Sequence, residues 1–534
     1  MKLVSVVEMY EIEQAANAAN IHNDLMMAHA GKELAKLIID RFSASGHIQV
    51  IGLIGKGNNG GDTLVALNEL LKDGWQCMAI FLAQRSTDPL FTTFIGQGGR
   101  AVLYGSQDFD RQLKEVLIPD ALVLDGVLGT GFKSPIKADV SQFLKSIKKY
   151  LSRQFMIAVD CPSGVDCESG EVSSETLPAD LTVCMEAVKI GLVKEPAFLS
   201  CGEIVVVPLG LPRSLVNKFE KRSVIDWQWA AVQFPQRSVF SHKGTFGKVM
   251  ISGGSVNYPG SVVLSGLAAY RMGSGLVTLA VPHSVAVMMA GGNPEITWVI
   301  LDEEDGVIAE TAEELFIRSL KGFDCLVLGP GMGQEETTRR FLQRLLIPPE
   351  INNHRKVGFL EGAPINTTAN NLPPLVLDAE ALRWLAAQKN WEKTIHTQMV
   401  LTPHPGEMAA LTDLSIAEVQ NDRINCATTF AQKWQQVVVL KGALTVVAGP
   451  DGRINVIPVA TSALAKAGSG DVLSGMIASL IGQGLPLFES ATLAAWLHAQ
   501  AGLLAAQEMG NEASLLAREI IAGIPGVISR LQKR

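Results

Sequence analysis

Short apolar runs that stop abruptly in glycine-, proline- or acid-bearing loops recur along the whole chain, with helically spaced stretches between them. A parallel sheet needs this alternation, because parallel strands cannot be joined by a tight hairpin and are connected through crossover helices. In the first half, residues 47–54 read as a strand, 62–72 as a helix closed by Gly74, and 75–83 as the next strand of a βαβ unit. Residues 121–124, 155–159 and 204–207 are expected to add strands, with the helix-like stretch 7–39 packed outside them. A second series starts near Gly247, with strands expected at 248–251, 276–281, 325–328, 375–377, 400–402 and 437–440. Periodicity lapses around 210–234, between Pro212 and Pro235.

At 534 residues the chain exceeds the roughly 250 to 300 residues at which a single core stops growing, so two domains are expected. We place them at 1–215 and 236–534, joined by a linker at 216–235. No fixed-period repeat relates them, so they are two different α/β domains. Charged residues make up 18% of the chain and the net charge is -8, which leaves no excess of positive charge for a phosphate backbone; no nucleic acid partner is expected. Residues 249–270 and 272–294 carry no charge, but glycines, prolines and Asn257 interrupt them, so they read as core and not as membrane spans. The N-terminal residues acquire acids at once and lack a leader's apolar stretch, and the seven cysteines form no CxxC pair. Reduced thiols in the cytoplasm are expected.

Gly55-Lys56-Gly57-Asn58-Asn59-Gly60 matches GxGxxG, follows a strand and opens a helix, so its amides can face an anion at the positive helix end. By itself the pattern is weak. The second strand ends without the acid that a dinucleotide's ribose requires, which argues against an ordinary hydride-transfer domain. Two further loops add to it. Asp125 ends a strand and is followed by Gly129-Thr130-Gly131-Phe132-Lys133-Ser134-Pro135; Asp160 ends another, before Cys161-Pro162-Ser163-Gly164. In one sheet these loops meet at one edge and surround a pocket with carboxylates, amides and free N–H groups. Each aspartate could instead simply cap its loop.

Together, GxGNNGGD, LxGxLGTG and AVDxPSGVD resemble the NAD(P)H-hydrate epimerase family over residues 1–215, a Rossmann-like parallel-sheet domain. The resemblance implies that Asn59, Asp125 and Ser163 hold a potassium ion. It further implies that Asn58, Asn59, Gly60, Gly61 and Asp62 cradle the hydrated nicotinamide together with the Gly129 to Pro135 loop, and that Asp160 binds the reacting ring, where it is also the candidate catalytic acid/base. Inverting C6 of such a ring needs an acid/base group near its hydroxyl, which a carboxylate at a strand end can supply. The chain departs from the family at Leu25-Met26-Met27-Ala28-His29-Ala30-Gly31, where LMExAG is usual, and at Thr63, where glycine is usual. The same domain type also resembles a non-enzymatic module of an mRNA-decapping scaffold, so a binding-only role competes.

In the second half Ala467-Gly468-Ser469-Gly470-Asp471 precedes a helical run, a pattern that sets successive amides and a carboxylate around an anion. Asp471 could alternatively be a plain N-cap. Gly329-Pro330-Gly331-Met332-Gly333, Leu377-Asp378-Ala379-Glu380, Thr402-Pro403-His404-Pro405-Gly406-Glu407 and Lys441-Gly442-Ala443-Leu444-Thr445 keep it company. The ordered set resembles the NAD(P)H-hydrate dehydratases, a branch of the ribokinase-like α/β fold, over residues 236–534. The loop reads KAGSGD where TGGTGD is common, and Ser261 stands where alanine is usual.

The resemblance implies that Lys441, Gly442, Ala443, Leu444, Thr445 and Gly470 contact an adenine nucleotide and that Ser261, Gly333, His404 and Asp471 face the hydrate. Asp471 is the implied catalytic base, ADP the phosphoryl donor with Mg2+ on its phosphates, and a homo-oligomer the expected assembly. The alternative is a ribokinase-type small-molecule kinase carrying a non-catalytic N-terminal binding module. His404, between two prolines, could equally serve a turn.

Overall fold

The computed structural model describes residues 1–45, 49–347 and 372–533; His47 and Ile48 of the first expected strand lie outside the described residues. The chain separates into two compact units, Met1–Val224 and Ile225–Arg534.

In the first unit all strands of the main sheet run parallel. Across the sheet they lie in the order Arg100–Leu103, Gln76–Phe81, Gln49–Ile54, Leu122–Gly126, Phe155–Val159, Leu181–Met185 and Glu203–Val207. Parallel strands buried on both faces lose the polar/apolar alternation, and Leu122–Gly126 and Leu181–Met185 are buried throughout. Sequence reasoning left out Leu181–Met185 and the edge strand Arg100–Leu103. One apolar cluster packs the sheet against the helices Val6–Ala18, Asn23–Phe42 and Asn58–Lys72 on one face; a second packs Phe109–Val116 and Ala138–Lys148 on the other. The single helix expected at 7–39 is two helices. Asn20 takes φ +63 between them, and Ser5 and Glu8 cap the first reciprocally.

The second unit has its parallel strands in the order Val437–Leu440, Met399–Leu401, Leu375–Leu377, Cys325–Leu328, Lys248–Ser252, Leu276–Pro282 and Thr297–Leu301. Val446–Ala448 and Ile454–Val456 extend it antiparallel beyond Val437–Leu440. These two strands and Thr297–Leu301 escaped the sequence reading. Residues 216–235 are not structureless: they include the short strand Arg222–Val224 and the helix Trp227–Gln233, which Asp226 caps through Trp229 N. The core centres on Gly260–Arg271, Ser469–Gly482 and Leu487–Met509, helices rich in small residues. No helix among the described residues is long and apolar enough to cross a membrane.

Candidate active sites

The winding of the first sheet reverses between Gln49–Ile54 and Leu122–Gly126, and open α/β sheets collect ligands in the crevice at such a point. Glycine lets the two loops leave side by side there: a Cβ on Gly55 would lie 1.9 Å from Val127 O. The crevice opens into a cleft of about 560 Å³. Asn58, Asn59, Asp62 and Asp160 line it, as do Gly129 to Lys133 and Pro135; Gly60, Gly61 and Ser134 do not. Gly60 and Gly61 lie against its wall, where a Cβ would meet Gly55 O at 2.5 Å or Met27 Sδ at 2.6 Å. Thr63 is buried away from the cleft and donates its hydroxyl to Asn59 O at 2.8 Å.

Asp125 and Ser163 are buried rather than lining the cleft. Ser163 donates through N and Oγ to the two Asp125 oxygens at 2.8 and 2.6 Å, and Leu128 N donates to Ser163 Oγ at 2.8 Å. Burial pushes the Asp125 carboxyl up, and its Ser163 and Val127 hydrogen bonds pull it part-way back. Asn59 Nδ2 donates to Leu128 O at 2.7 Å, whereas Asn59 Oδ1 is buried with no partner among the described residues. A buried amide oxygen lacking a donor, tied through Leu128 to a carboxylate and a hydroxyl, fits the all-oxygen donor set that a hard cation takes.

Asp160 holds φ +65, a left-handed conformation uncommon outside glycine. Its Oδ1 accepts from Met185 N at 3.0 Å and from Lys189 Nζ, and Lys189 also donates to Met185 O at 3.1 Å. The Lys189 side chain is 1% exposed. Burial alone would lower its pKa, but the attraction of Asp160 leads the opposing effects and the net shift is upward. Sequence reasoning missed Lys189. The signal was available: a lysine between Val188 and Ile190 must find an acid if it is buried. It also missed Glu13, on the first helix. Burial raises both Glu13 and Asp62, which line the same cleft, and raises Asp62 well above the usual carboxylate range with Asp160 as the next cause.

In the second unit Ser469–Gly482 begins at Gly468, φ +88, and no side chain caps it. Asp471 is therefore not its N-cap. Small residues let this helix approach Gly260–Arg271: a Cβ on Gly475 would lie 2.0 Å from Ser265 O, and Ser265 Oγ and Ser474 Oγ are 3.2 Å apart. The approach brings the Ser261 hydroxyl to the Asp471 carboxylate.

A cleft of about 360 Å³ holds His404, Lys441, Gly442, Gly470 and Asp471 from the sequence assignment, with Asp378 and Glu407, which that assignment left out. Gly333 lines a separate groove of about 370 Å³ that also includes Glu380. Ala443, Leu444 and Thr445 line neither; Leu444 N donates to Val459 O and Thr445 Oγ1 to Gly442 O, which shapes the loop.

Lys441 Nζ donates to Asp378 Oδ1 at 2.7 Å and lies 3.7 Å from Glu407 Oε2. Burial lowers its ammonium, the two carboxylates outweigh that, and its pKa ends raised. Asp471 has no such tether. Burial first and Asp378 second push it up to about 7, against the pull of Ser261 and Lys441. His404 Nδ1 accepts from Gly406 N at 3.0 Å and Glu407 N at 3.2 Å, so it caps a helix while also lining the cleft.

Two family models match the chain, one described as YjeF-related protein N-terminus over residues 23–191 and one as NAD(P)H-hydrate dehydratase over residues 249–525. The bifunctional NAD(P)H-hydrate repair enzyme Nnr of Moorella thermoacetica is 33% identical over 543 residues, which covers 100% of this chain and 98% of that protein. The chain belongs to the bifunctional NAD(P)H-hydrate repair enzymes. The Escherichia coli enzyme of that name is 29% identical, over 97% of this chain and 92% of its own length. Among solved structures, the ADP/ATP-dependent NAD(P)H-hydrate dehydratase of Bacillus subtilis, co-crystallized with ATP/Mg2+, is 28% identical with a TM-score of 0.46; the match covers 58% of this chain and 98% of that one. As a repair enzyme of this family the chain combines an epimerase domain with a dehydratase domain. A ribokinase-type kinase with a non-catalytic module is not favoured.

Proposed function

We propose that the Asp471 cleft dehydrates the S form of hydrated NADH or NADPH with ADP as phosphoryl donor, and that the Asp160 cleft interconverts the R and S forms. The observation that carries the reading is Asp471 itself. It is a carboxylate with no capping duty, two residues into a helix whose N-terminus no side chain caps, and burial pushes it up to about 7. Hydroxide leaves carbon poorly. Asp471 accepts the proton of the C6 hydroxyl, and the oxygen takes the terminal phosphoryl group of ADP, releasing AMP. The C6–O bond then breaks with phosphate departing as the N1 lone pair forms a C6–N1 double bond. Loss of a C5 proton completes the ring and yields NADH or NADPH.

In this reading Lys441, Gly442 and Gly470 face the nucleotide, with Ala443, Leu444 and Thr445 shaping that loop, while Ser261, Gly333 and His404 face the hydrate. Magnesium would take phosphate oxygens and one or two carboxylates, for which Asp471 and the Lys441-paired Asp378 and Glu407 stand together in the cleft. Its chemistry there is to neutralise charge on the phosphates. Potassium is assigned to Asn59, Asp125 and Ser163, supported by the unpartnered Asn59 Oδ1; its chemistry is to fix the loops that hold the hydrate. We assign the two activities to residues 1–215 and 236–534. Seven unpaired, buried cysteines support a reducing, cytoplasmic setting. Self-association into a homo-oligomer belongs to the proposal, and the exposed Val239 and Phe240 support it.

Purified chain mixed with hydrated NADH, ADP and Mg2+ is expected to restore absorbance at 340 nm. Formation of a phosphorylated small alcohol with no recovery at 340 nm would defeat the proposal in favour of the kinase.

A further inference from the structure

We infer that Asp62 is the proton donor of the first cleft, working opposite Asp160, which Lys189 holds in place as the acceptor. The inference rests on the epimerase reading and assigns its proton traffic. Asp62 comes from the helix Asn58–Lys72 and Asp160 from the end of the strand Phe155–Val159, so the two carboxyls reach one cleft from different elements.

Their surroundings differ. Asp160 Oδ1 accepts from a main-chain N–H and from Lys189, a lysine that is 1% exposed, whereas Lys189 acts on Asp62 only through space. Asp62 has neither a hydrogen bond nor an ion pair to its carboxyl among the described residues, and burial favours its neutral form. Two carboxyls so differently placed, one bonded to a buried lysine and the other buried without a bond, suit the roles of base and acid. The charged groups facing them are Glu13 from the first helix and Lys189; at the mouth, Lys56 pairs with Asp139 at 2.7 Å, Lys133 with Asp166 at 3.3 Å, and Lys137 completes the rim. Glu13 also lacks a side-chain partner among the described residues, but Asp62 is the one carried by the helix that supplies Asn58 and Asn59.

The step balances with water as the only co-reactant. Asp62 gives its proton to the C6 hydroxyl, the C6–O bond breaks with water leaving, and the N1 lone pair forms a C6–N1 double bond. Water adds to the opposite face, the C6–O bond re-forms, N1 recovers its pair, and the surplus proton passes to Asp160. Exchange with solvent returns it to Asp62. In the reverse direction the two carboxyls exchange roles.

The test follows the R to S conversion of purified hydrated NADH by chromatography, without nucleotide, using the full chain across pH. Asp62→Asn is expected to slow conversion by about 10²-fold or more, with its thermal midpoint recorded to verify folding. Lys189→Met is expected to shift the acidic limb of the profile to higher pH, because Asp160 Oδ1 loses its bonded ammonium, and Lys189→Arg to restore it. Wild-type rate in Asp62→Asn, or the large loss appearing in Glu13→Gln instead, overturns the inference. Should Asp62→Asn not fold, the wild-type profile decides: a decline on the alkaline side is expected, and its absence overturns the inference. A wild-type chain that never interconverts the epimers overturns the epimerase reading itself, an outcome distinct from the others.

Discussion

Both sheets thread their seven parallel strands alike, with the third, second and first on one side of the turning point and the fourth to seventh on the other. They place their chemistry differently. The first unit opens its cleft at the turning point, between the loops that follow Ile54 and Gly126. The second carries Asp471 on Ser469–Gly482, a helix made after the chain has completed its sheet. Each unit also sets a lysine among carboxylates, and again the arrangement differs. Lys189 is bonded to Asp160, the carboxylate assigned to chemistry, whereas Lys441 is bonded to Asp378 and Asp471 has no bonded cation among the described residues. A shared topology therefore does not dictate which acid the buried lysine binds.

The contrast is most exposed at Asp471. Asp471→Asn is expected to lower ADP-driven recovery of the 340 nm band about 10³-fold, and a variant within tenfold of wild type would break the comparison. Lys441→Met comes next. With the cation gone Asp378 and Glu380 act on Asp471 unopposed, so at pH 7 the dehydration rate should fall by roughly 10- to 100-fold and recover toward alkaline pH. An unaltered pH profile would mean that Lys441 serves the nucleotide alone. A smaller effect is expected at the proposed potassium site, where Ser163→Ala should weaken stimulation of R to S conversion by potassium chloride over sodium chloride several-fold. Equal stimulation in both proteins would remove Ser163 from that site.

Stability sharpens the same contrast. The Asp471 carboxyl is raised from 3.8 to about 7, so the stability it contributes is fully present below the ordinary value and is lost as pH rises through about 7. At pH 8 Asp471→Asn should therefore unfold above wild type, by up to about 4 kcal/mol, and the gain should vanish toward pH 4. Differential scanning calorimetry across that range reads it. Gly475→Ala, which drives a methyl into Ser265 O, should destabilise the second unit by about 1 to 3 kcal/mol. A midpoint unchanged by Gly475→Ala would show that the two helices separate more easily than their 2.0 Å clearance indicates.

Much of this was legible in the sequence. Apolar runs broken by glycine loops marked most parallel strands, and the glycine loops near residues 57 and 468 marked segments that line the two clefts. The two-carboxyl character of the clefts was harder to read. Lys189, Glu13, Asp378 and Glu407 belong to elements far apart in sequence from the acids they face, and only the folded sheet brings them together. His404 illustrates a different limit, since one imidazole both caps a helix and lines a cleft, so a motif cannot choose between turn and ligand. The short hairpin of Val446–Ala448 and Ile454–Val456 went unread for a simpler reason: three-residue strands are too brief for periodicity to register.

The most direct test of the account is the pH dependence of NADH recovery from the pure S hydrate with saturating ADP and Mg2+. An untethered base at Asp471 predicts a rate that climbs through about pH 7 and then levels. A rate already at its plateau at about pH 5 would contradict it, since the carboxylate would then be ionised well below the value its surroundings impose.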